Sequence, residues 1–177
     1  MARRLPGDPP ARRQVARMIR VDHAGEYGAK RIYAGQLAVL GRSAAAAEIR
    51  RMAEQEERHL AAFDRLLRER RVRPTALAPL WHLAGFALGA ATAFLGERAA
   101  MACTVAVEEV IDQHYRGQID ALGETEPEIK AALKEFRLNE IEHRDMARAQ
   151  GGDEAPFPLT AAIKAGSRLA IWLSTRI

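Results

Sequence analysis

The sequence predicts an all-α fold: a four-helix bundle made of two hairpins, joined by a long helical crossover and followed by a C-terminal amphipathic helix, in one domain over residues 11–177. Three observations predict it. Apolar residues recur at helical spacing through four long stretches. Two matched sets of polar residues interrupt those apolar rows: Glu26 with the run Glu56-Glu57-Arg58-His59, and Glu108 with the run Glu140-Ile141-Glu142-His143. Between the two sets, residues 74–96 contain no Asp, Glu, Lys or Arg.

Residues 1–10, with Pro6, Pro9 and Pro10, are expected to form a flexible basic arm. A first helix is expected from about Ala11 to Leu40, with Val15, Ile19, Tyr33 and Leu37 on one side and Glu26 among them. Gly41 ends it, and Ser43 is placed to cap the next. The second helix, from about Ala44 to Arg71, carries the stripe Ile49, Met52, Glu56, His59, Phe63 and Leu66. Its two polar members lie where a surface residue is not expected.

The uncharged stretch 74–96 is rich in Ala and Leu and is interrupted by Pro74, Pro79, Gly85 and Gly89. Its length would permit a membrane span. The prolines, glycines and His82 favour instead a helix lying on a membrane surface, with Arg68, Arg70, Arg71 and Arg73 near the headgroups. The alternative is a crossover buried in the protein.

The next helix is expected from about Glu97 to Leu122, with Met101, Thr104, Glu108, Ile111, Tyr115 and Leu122 along one side. Gly123 ends it. Thr125-Glu126-Pro127-Glu128 reads as a capping box opening the following helix, which runs to about Ala149 before Gly151-Gly152. Its stripe Leu133, Phe136, Glu140, His143 and Ala147 repeats that of the second helix. A last helix, about Leu159 to Arg176, is basic and amphipathic and is a second candidate for the membrane surface.

Helix rise tests whether the polar sets can meet. Glu26 lies 15 residues before Gly41 and Glu56 lies 13 after Ser43, so both stand about 20–22 Å from that turn. Glu108 is 15 residues before Gly123 and Glu140 is 15 after Thr125, so both stand about 22 Å from theirs. In two antiparallel hairpins the ligands reach one level. Residues three apart share a helix face, so each Glu-x-x-His offers an oxygen and a nitrogen to one ion.

Four carboxylates and two imidazoles on four helices form the di-iron or di-manganese pattern of ferritin-like bundles. Two divalent ions would balance four carboxylates whose burial is otherwise costly. The oxygen-rich donor set suits iron or manganese, with iron favoured. Read singly, any of the six residues is equally well a satisfied polar residue or a surface ion pair.

Composition narrows the class. Hydrophobic residues make up 48% of the chain, which excludes a disordered protein. A single cysteine, Cys103, excludes a disulfide framework and a cysteine zinc site. The net charge of +4 is concentrated in Arg3, Arg4, Arg12, Arg13, Arg17 and Arg20, a bias that suits an anionic surface. No motif supports nucleic-acid binding.

The runs Asp22-His23-Ala24-Gly25-Glu26-Tyr27-Gly28-Ala29, Arg31-Ile32-Tyr33-Ala34-Gly35-Gln36, Arg71-Val72-Arg73-Pro74-Thr75, Pro79-Leu80-Trp81, Gly85-Phe86-Ala87-Leu88-Gly89-Ala90, Ala102-Cys103-Thr104-Val105-Ala106-Val107-Glu108-Glu109 and Arg168-Leu169-Ala170-Ile171-Trp172-Leu173-Ser174 resemble the demethoxyubiquinone hydroxylases of ubiquinone biosynthesis. The resemblance covers nearly everything from Arg20 onward. It implies a di-iron monooxygenase that uses dioxygen to hydroxylate the ring of a demethoxyubiquinol. Glu26, Glu56, His59, Glu108, Glu140 and His143 are the iron ligands it implies. Between Glu108 and Glu109 it favours the first, as does the stripe. It also points to His114 and Tyr115 beside the metals, gating electron or substrate access, with an aromatic core residue the alternative for Tyr115. Asp22 and His23, one turn before Glu26, are candidates to support the ligands through hydrogen bonds.

The resemblance further implies an external electron donor, NADH or the quinol itself, and a lipid-binding partner protein of the same pathway. A homo-oligomer is expected, and a peripheral place on the cytoplasmic side of a bacterial inner membrane, since no long targeting extension precedes the first helix. Metal storage or peroxide detoxification by a ferritin-like protein is the rival function. A membrane scaffold with a purely structural metal is a second rival.

Overall fold

The computed structural model describes residues 11–177; the arm expected over residues 1–10 lies outside them. The described residues form helices in the order α1 (Ala11–Leu40), α2 (Ala46–Arg70), α3 (Ala78–Phe94), α4 (Glu97–Leu122), α5 (Pro127–Ala149) and α6 (Phe157–Ser174), with a short 3₁₀ turn at Gly152–Glu154. The expected all-α bundle is present. α1 and α2 form one hairpin, α4 and α5 the other, and α3 crosses between them. Bundle-facing positions match the sequence stripes: Ile49, Met52, Phe63 and Leu66 of α2 and Leu133, Phe136 and Ala147 of α5 are all buried.

One core cluster, built on Ile19, Phe63, Leu66, Tyr115, Ile129, Leu133 and Phe136, closes the end of the bundle near the two chain turns at 71–73 and 123–126. A second, built on Tyr33, Ile49, Met52, Met101 and Ala147, closes the other end. The six polar candidates lie between these two apolar plugs. Water is therefore held away from them at both ends.

Two local expectations are corrected. Ser43 does not cap α2 with its hydroxyl: α2 begins two residues later than expected, and the Ser43 carbonyl accepts from the Ala46 N–H. Thr125 does not open a capping box. Its hydroxyl turns back to the Leu122 carbonyl at 2.6 Å, and Glu126 takes a left-handed conformation (φ 51°) ahead of Pro127. The cause is tertiary. The Glu126 carboxylate is held by both terminal nitrogens of Arg70, at 2.6 and 3.2 Å, and so faces α2 rather than its own helix start.

α3 lies tightly against α1 because glycines remove the side chains between them. A Cβ at Gly89 would fall inside the Ile32 carbonyl, and one at Gly35 would fall inside the Phe86 carbonyl and 2.7 Å from the Ala90 nitrogen. Tyr27 and His82 are hydrogen-bonded across the same contact at 2.6 Å.

The opposite side of α3 is open and wholly apolar: Leu80, Leu83, Ala84, Ala87, Ala91 and Phe94 are all exposed. α6 leaves Phe157, Leu169 and Trp172 exposed. It packs on α4 and α1 through Ile163, and its end meets the start of α3 where Trp81 Nε1 donates to Ser174 Oγ at 3.0 Å. Segment 74–96 is thus neither sunk in the core nor free of it. Among the described residues, no helix is long and apolar enough to cross a membrane.

Candidate metal centre

All six candidate ligands converge, and none is more than 2% exposed. They form two groups whose donor atoms lie within 4.8 Å of one another: Glu26, Glu56, His59 and Glu140 in one, and Glu56, Glu108, Glu140 and His143 in the other. Glu56 and Glu140 belong to both. The arrangement therefore offers two candidate ion positions that would share two carboxylates, with Glu26 and His59 on one side and Glu108 and His143 on the other.

Both imidazoles point Nδ1 inward. His59 Nδ1 lies 3.1 Å from Glu140 and 3.4 Å from Glu26, and His143 Nδ1 lies 3.2 Å from both Glu56 and Glu140. The donor atoms that face this centre lack hydrogen-bond partners: Glu26 Oε2, both oxygens of Glu56 and Glu140, Glu108 Oε2, and Nδ1 of His59 and His143. Buried polar atoms are normally paired. A cluster of orphans on six converging side chains fits two metal ions.

The electrostatics carry the same demand. Burial pushes the Glu56 carboxyl well above its ordinary range, and Glu140 and Glu26 push it further. Burial and then Glu140 raise Glu108 to about 8. Burial opposes charge on the imidazoles too, but the surrounding carboxylates prevail and hold His59 at about 11 and His143 at about 12. Glu140, for which burial also opposes ionisation, is held down at about 2 by His143 and His59.

Positive charge is thus drawn into the site as protons wherever divalent ions do not supply it. The sign of the linkage follows. Protons on His59 and His143 compete with metal below their raised values, so lowering pH weakens binding. Iron(II) uptake is expected to release protons and to tighten from about pH 6 to about pH 8. Calorimetric titration in two buffers of different ionisation heat checks it; uptake with the same heat in both would contradict it.

The centre has an internal two-fold relation. Tyr115, seven residues after Glu108, donates to Glu26. Tyr33, seven residues after Glu26, donates to Glu108 Oε1 at 2.7 Å. Tyr33 was visible only as a member of the α1 stripe; its equal spacing from the preceding Glu was the signal that marked it. Gln118 and Gln36 stand ten residues after the same two glutamates. Gln118 Nε2 donates to Asp22 at 2.8 Å, and Gln36 Nε2 lies 3.4 Å from Thr104 Oγ1.

The residues immediately before each Glu-x-x-His are also paired across the bundle. Gln55 Oε1 lies 2.8 Å from His143 Nε2, and Asn139 Oδ1 lies 3.1 Å from His59 Nε2.

The symmetry is broken at one place. Asp22, buried, lies 3.1 Å from His114 Nε2, whereas the equivalent positions of the other half are Thr104 and Ile32. His114 and Gln118 line a cleft of about 360 Å³ with Arg17, Val21 and Thr175. On the other half, Ala29, Ile32, Tyr33, Thr104, Val107 and Glu108 line a seam too tight for a water molecule. One end of the centre is polar and the other apolar.

The neighbouring polar residues sit elsewhere. His23, expected to support a ligand, turns instead from the centre to Asp64 at 3.1 Å. Glu109 pairs with Arg148 of α5 and Lys164 of α6, pinning those helices to α4, and Glu142 pairs with Arg51.

Fold and site together define a ferritin-like helical bundle whose buried carboxylates and imidazoles are compatible with a pair of metal ions. The chain belongs to the family described as ubiquinone biosynthesis protein COQ7, whose model matches residues 13–174. It is 60% identical over 177 residues to the 3-demethoxyubiquinol 3-hydroxylase of Rhodospirillum rubrum, covering 98% of this chain and 84% of that one. It is 52% identical over 176 residues to the human NADPH-dependent 3-demethoxyubiquinone 3-hydroxylase, mitochondrial, covering 96% and 81%. Identity to the 5-demethoxyubiquinone hydroxylase of Saccharomyces cerevisiae is 41% over 180 residues, covering 91% and 77%.

Proposed function

We propose that this protein hydroxylates the ring of a demethoxyubiquinol at a membrane surface, using dioxygen, two iron ions and an external electron donor. The observation that carries the reading is the complete six-residue centre in a chain 60% identical to a protein named 3-demethoxyubiquinol 3-hydroxylase. Bound iron supplies dioxygen activation and the oxidising power for ring hydroxylation. Glu26, Glu56, His59, Glu108, Glu140 and His143 hold it, and the two apolar plugs exclude bulk water.

Each half of the centre has its own task. Tyr115 holds the Glu26 carboxylate, and behind it Asp22, His114 and Gln118 connect to the open cleft. Burial raises the Asp22 carboxyl above its usual range, against the lowering pull of His114 and Gln118. This side serves as the route by which protons reach the centre, with His114 at the solvent end. The apolar seam beside Glu108 is where α1 and α4 part to admit the quinol ring.

The open faces of α3 and α6 rest on the bilayer. That placement keeps the prenyl tail in lipid, where exposing it to water would cost about 0.8 kcal/mol per CH₂ group. Arg68, Arg71, Arg73, Arg168 and Arg176 meet anionic headgroups. The electron donor is a nicotinamide nucleotide or the quinol itself. A peripheral site on a bacterial inner membrane, a lipid-binding partner and a homo-oligomer complete the proposal.

The test is hydroxylation of a demethoxyubiquinol by the iron-loaded protein on vesicles containing anionic lipid. The double substitution Leu83→Glu with Phe94→Glu is expected to lower vesicle binding by at least about tenfold while leaving iron content unchanged. Turnover of the long-chain substrate is expected to fall with it. Two bound irons with no hydroxylation under any donor would move the function to metal handling. Unchanged vesicle binding would remove the membrane-facing role of α3.

A further inference from the structure

Each metal-facing imidazole is supported by the opposite hairpin through an uncharged amide. His143 of α5 is held by Gln55 of α2, at 2.8 Å, and His59 of α2 is held by Asn139 of α5, at 3.1 Å. The two amides occupy matching positions, each directly before the Glu of its own Glu-x-x-His. With Nδ1 turned to the metal position, Nε2 carries the proton and donates to the amide oxygen. Gln55 is itself buried, and His59 is further fixed by stacking on Phe136 with ring centroids 4.1 Å apart.

The identity of the supporting group matters. Imidazole ligands commonly donate to a carboxylate, a backbone carbonyl or water, and the choice sets ring orientation and ligand basicity. Here four carboxylates and two divalent ions sum to zero charge. A carboxylate behind each imidazole would add negative charge to a buried centre and stabilise trivalent over divalent iron. A neutral amide fixes the ring and adds none.

We propose that Gln55 and Asn139 are paired positioning residues that orient the two imidazoles across the hairpins and, being uncharged, bias the loaded centre towards its divalent state. The inference rests on the iron reading above. It makes each Glu-x-x-His helix depend on the other for the geometry of its own histidine.

The experiment compares wild type with Gln55→Leu, Asn139→Leu, Gln55→Glu and Asn139→Asp, each loaded anaerobically with iron(II). Affinity is read against a competing chelator, and the midpoint potential by redox titration. The leucine variants are expected to lose about 10–100-fold in iron(II) affinity. The acidic variants, which keep shape and a hydrogen-bond acceptor, are expected to retain iron and to titrate at a lower potential than wild type.

Wild-type affinity in the leucine variants, or wild-type potential in the acidic ones, overturns the proposal. A leucine variant that fails to fold leaves the acidic pair to decide, because a purely structural role would not move the potential. Wild type that takes up two irons while all variants match it removes only this inference. Wild type that takes up none removes the iron reading as well.

Discussion

Glu140→Ala is expected to empty both metal positions at once, whereas Glu26→Ala and Glu108→Ala are each expected to weaken one. The difference follows from sharing: Glu140 belongs to both donor groups, while Glu26 and Glu108 each belong to one. Iron content after anaerobic loading should fall from two per chain to none for Glu140→Ala and towards one for the terminal variants. Hydroxylation should be lost in all three, because the proposed chemistry uses both ions. Iron retained at two per chain in Glu140→Ala would refute the shared-ligand arrangement.

The metal-free protein is expected to lose stability with the change. The carboxyl removed is the one that His143 and His59 hold ionised, at about 2, so its loss takes a partner from two buried imidazoles. A melt by circular dichroism that stays cooperative, at a lower Tm than metal-free wild type, is the expected control.

Gly89→Ala is expected to produce the largest loss of stability from a single added methyl group. An alanine normally improves a helix by about 1 kcal/mol over glycine. Here the new Cβ would meet the Ile32 carbonyl, which belongs to α1 and cannot rotate away. α3 must therefore lift off α1. Overpacking of this kind costs about 1–3 kcal/mol, a drop of roughly 2–12 °C in Tm for a chain of this size.

Gly117→Ala is the matched control. Nothing lies within 4 Å of a Cβ added there, and Tm is expected to rise slightly. A Gly89 variant as stable as the Gly117 one would show that the α1–α3 contact is looser than described. Because α3 carries the exposed apolar face, Gly89→Ala should also weaken vesicle binding without touching a metal ligand.

The candidate metal centre was legible in the sequence because its parts are local and periodic. Glu-x-x-His places two donors on one helix face whatever the surroundings, and equal distances from the turns bring four helices into register. Burial of charged residues inside apolar stripes then marks them as a site. The same reasoning separates Glu108 from Glu109: the structure buries the first at the centre and pairs the second with Arg148 and Lys164.

What the stripes could not reveal was which polar residues answer one another across the bundle. Tyr33 with Glu108, Gln55 with His143 and Asn139 with His59 are each more than seventy positions apart. Helix periodicity records the face a residue occupies but not its partner on another helix. The turn at 123–126 shows the same limit in reverse. Thr125-Glu126-Pro127-Glu128 satisfies the local rule for a capping box, yet the ion pair from Arg70 to Glu126 sets another conformation.

Segment 74–96 was identified by composition alone, but composition does not say which side of an apolar helix meets protein. The glycines of α1 and α3 decide it, since only that side lets two backbones touch, and they turn the leucines and Phe94 outward. The sequence by itself determined the helices, their register and the six candidate ligands, because these follow from spacing along one chain. Only the tertiary structure decided the cross-bundle hydrogen bonds, the polar and apolar ends of the centre and the exposed face of α3, because these depend on how separate helices approach one another.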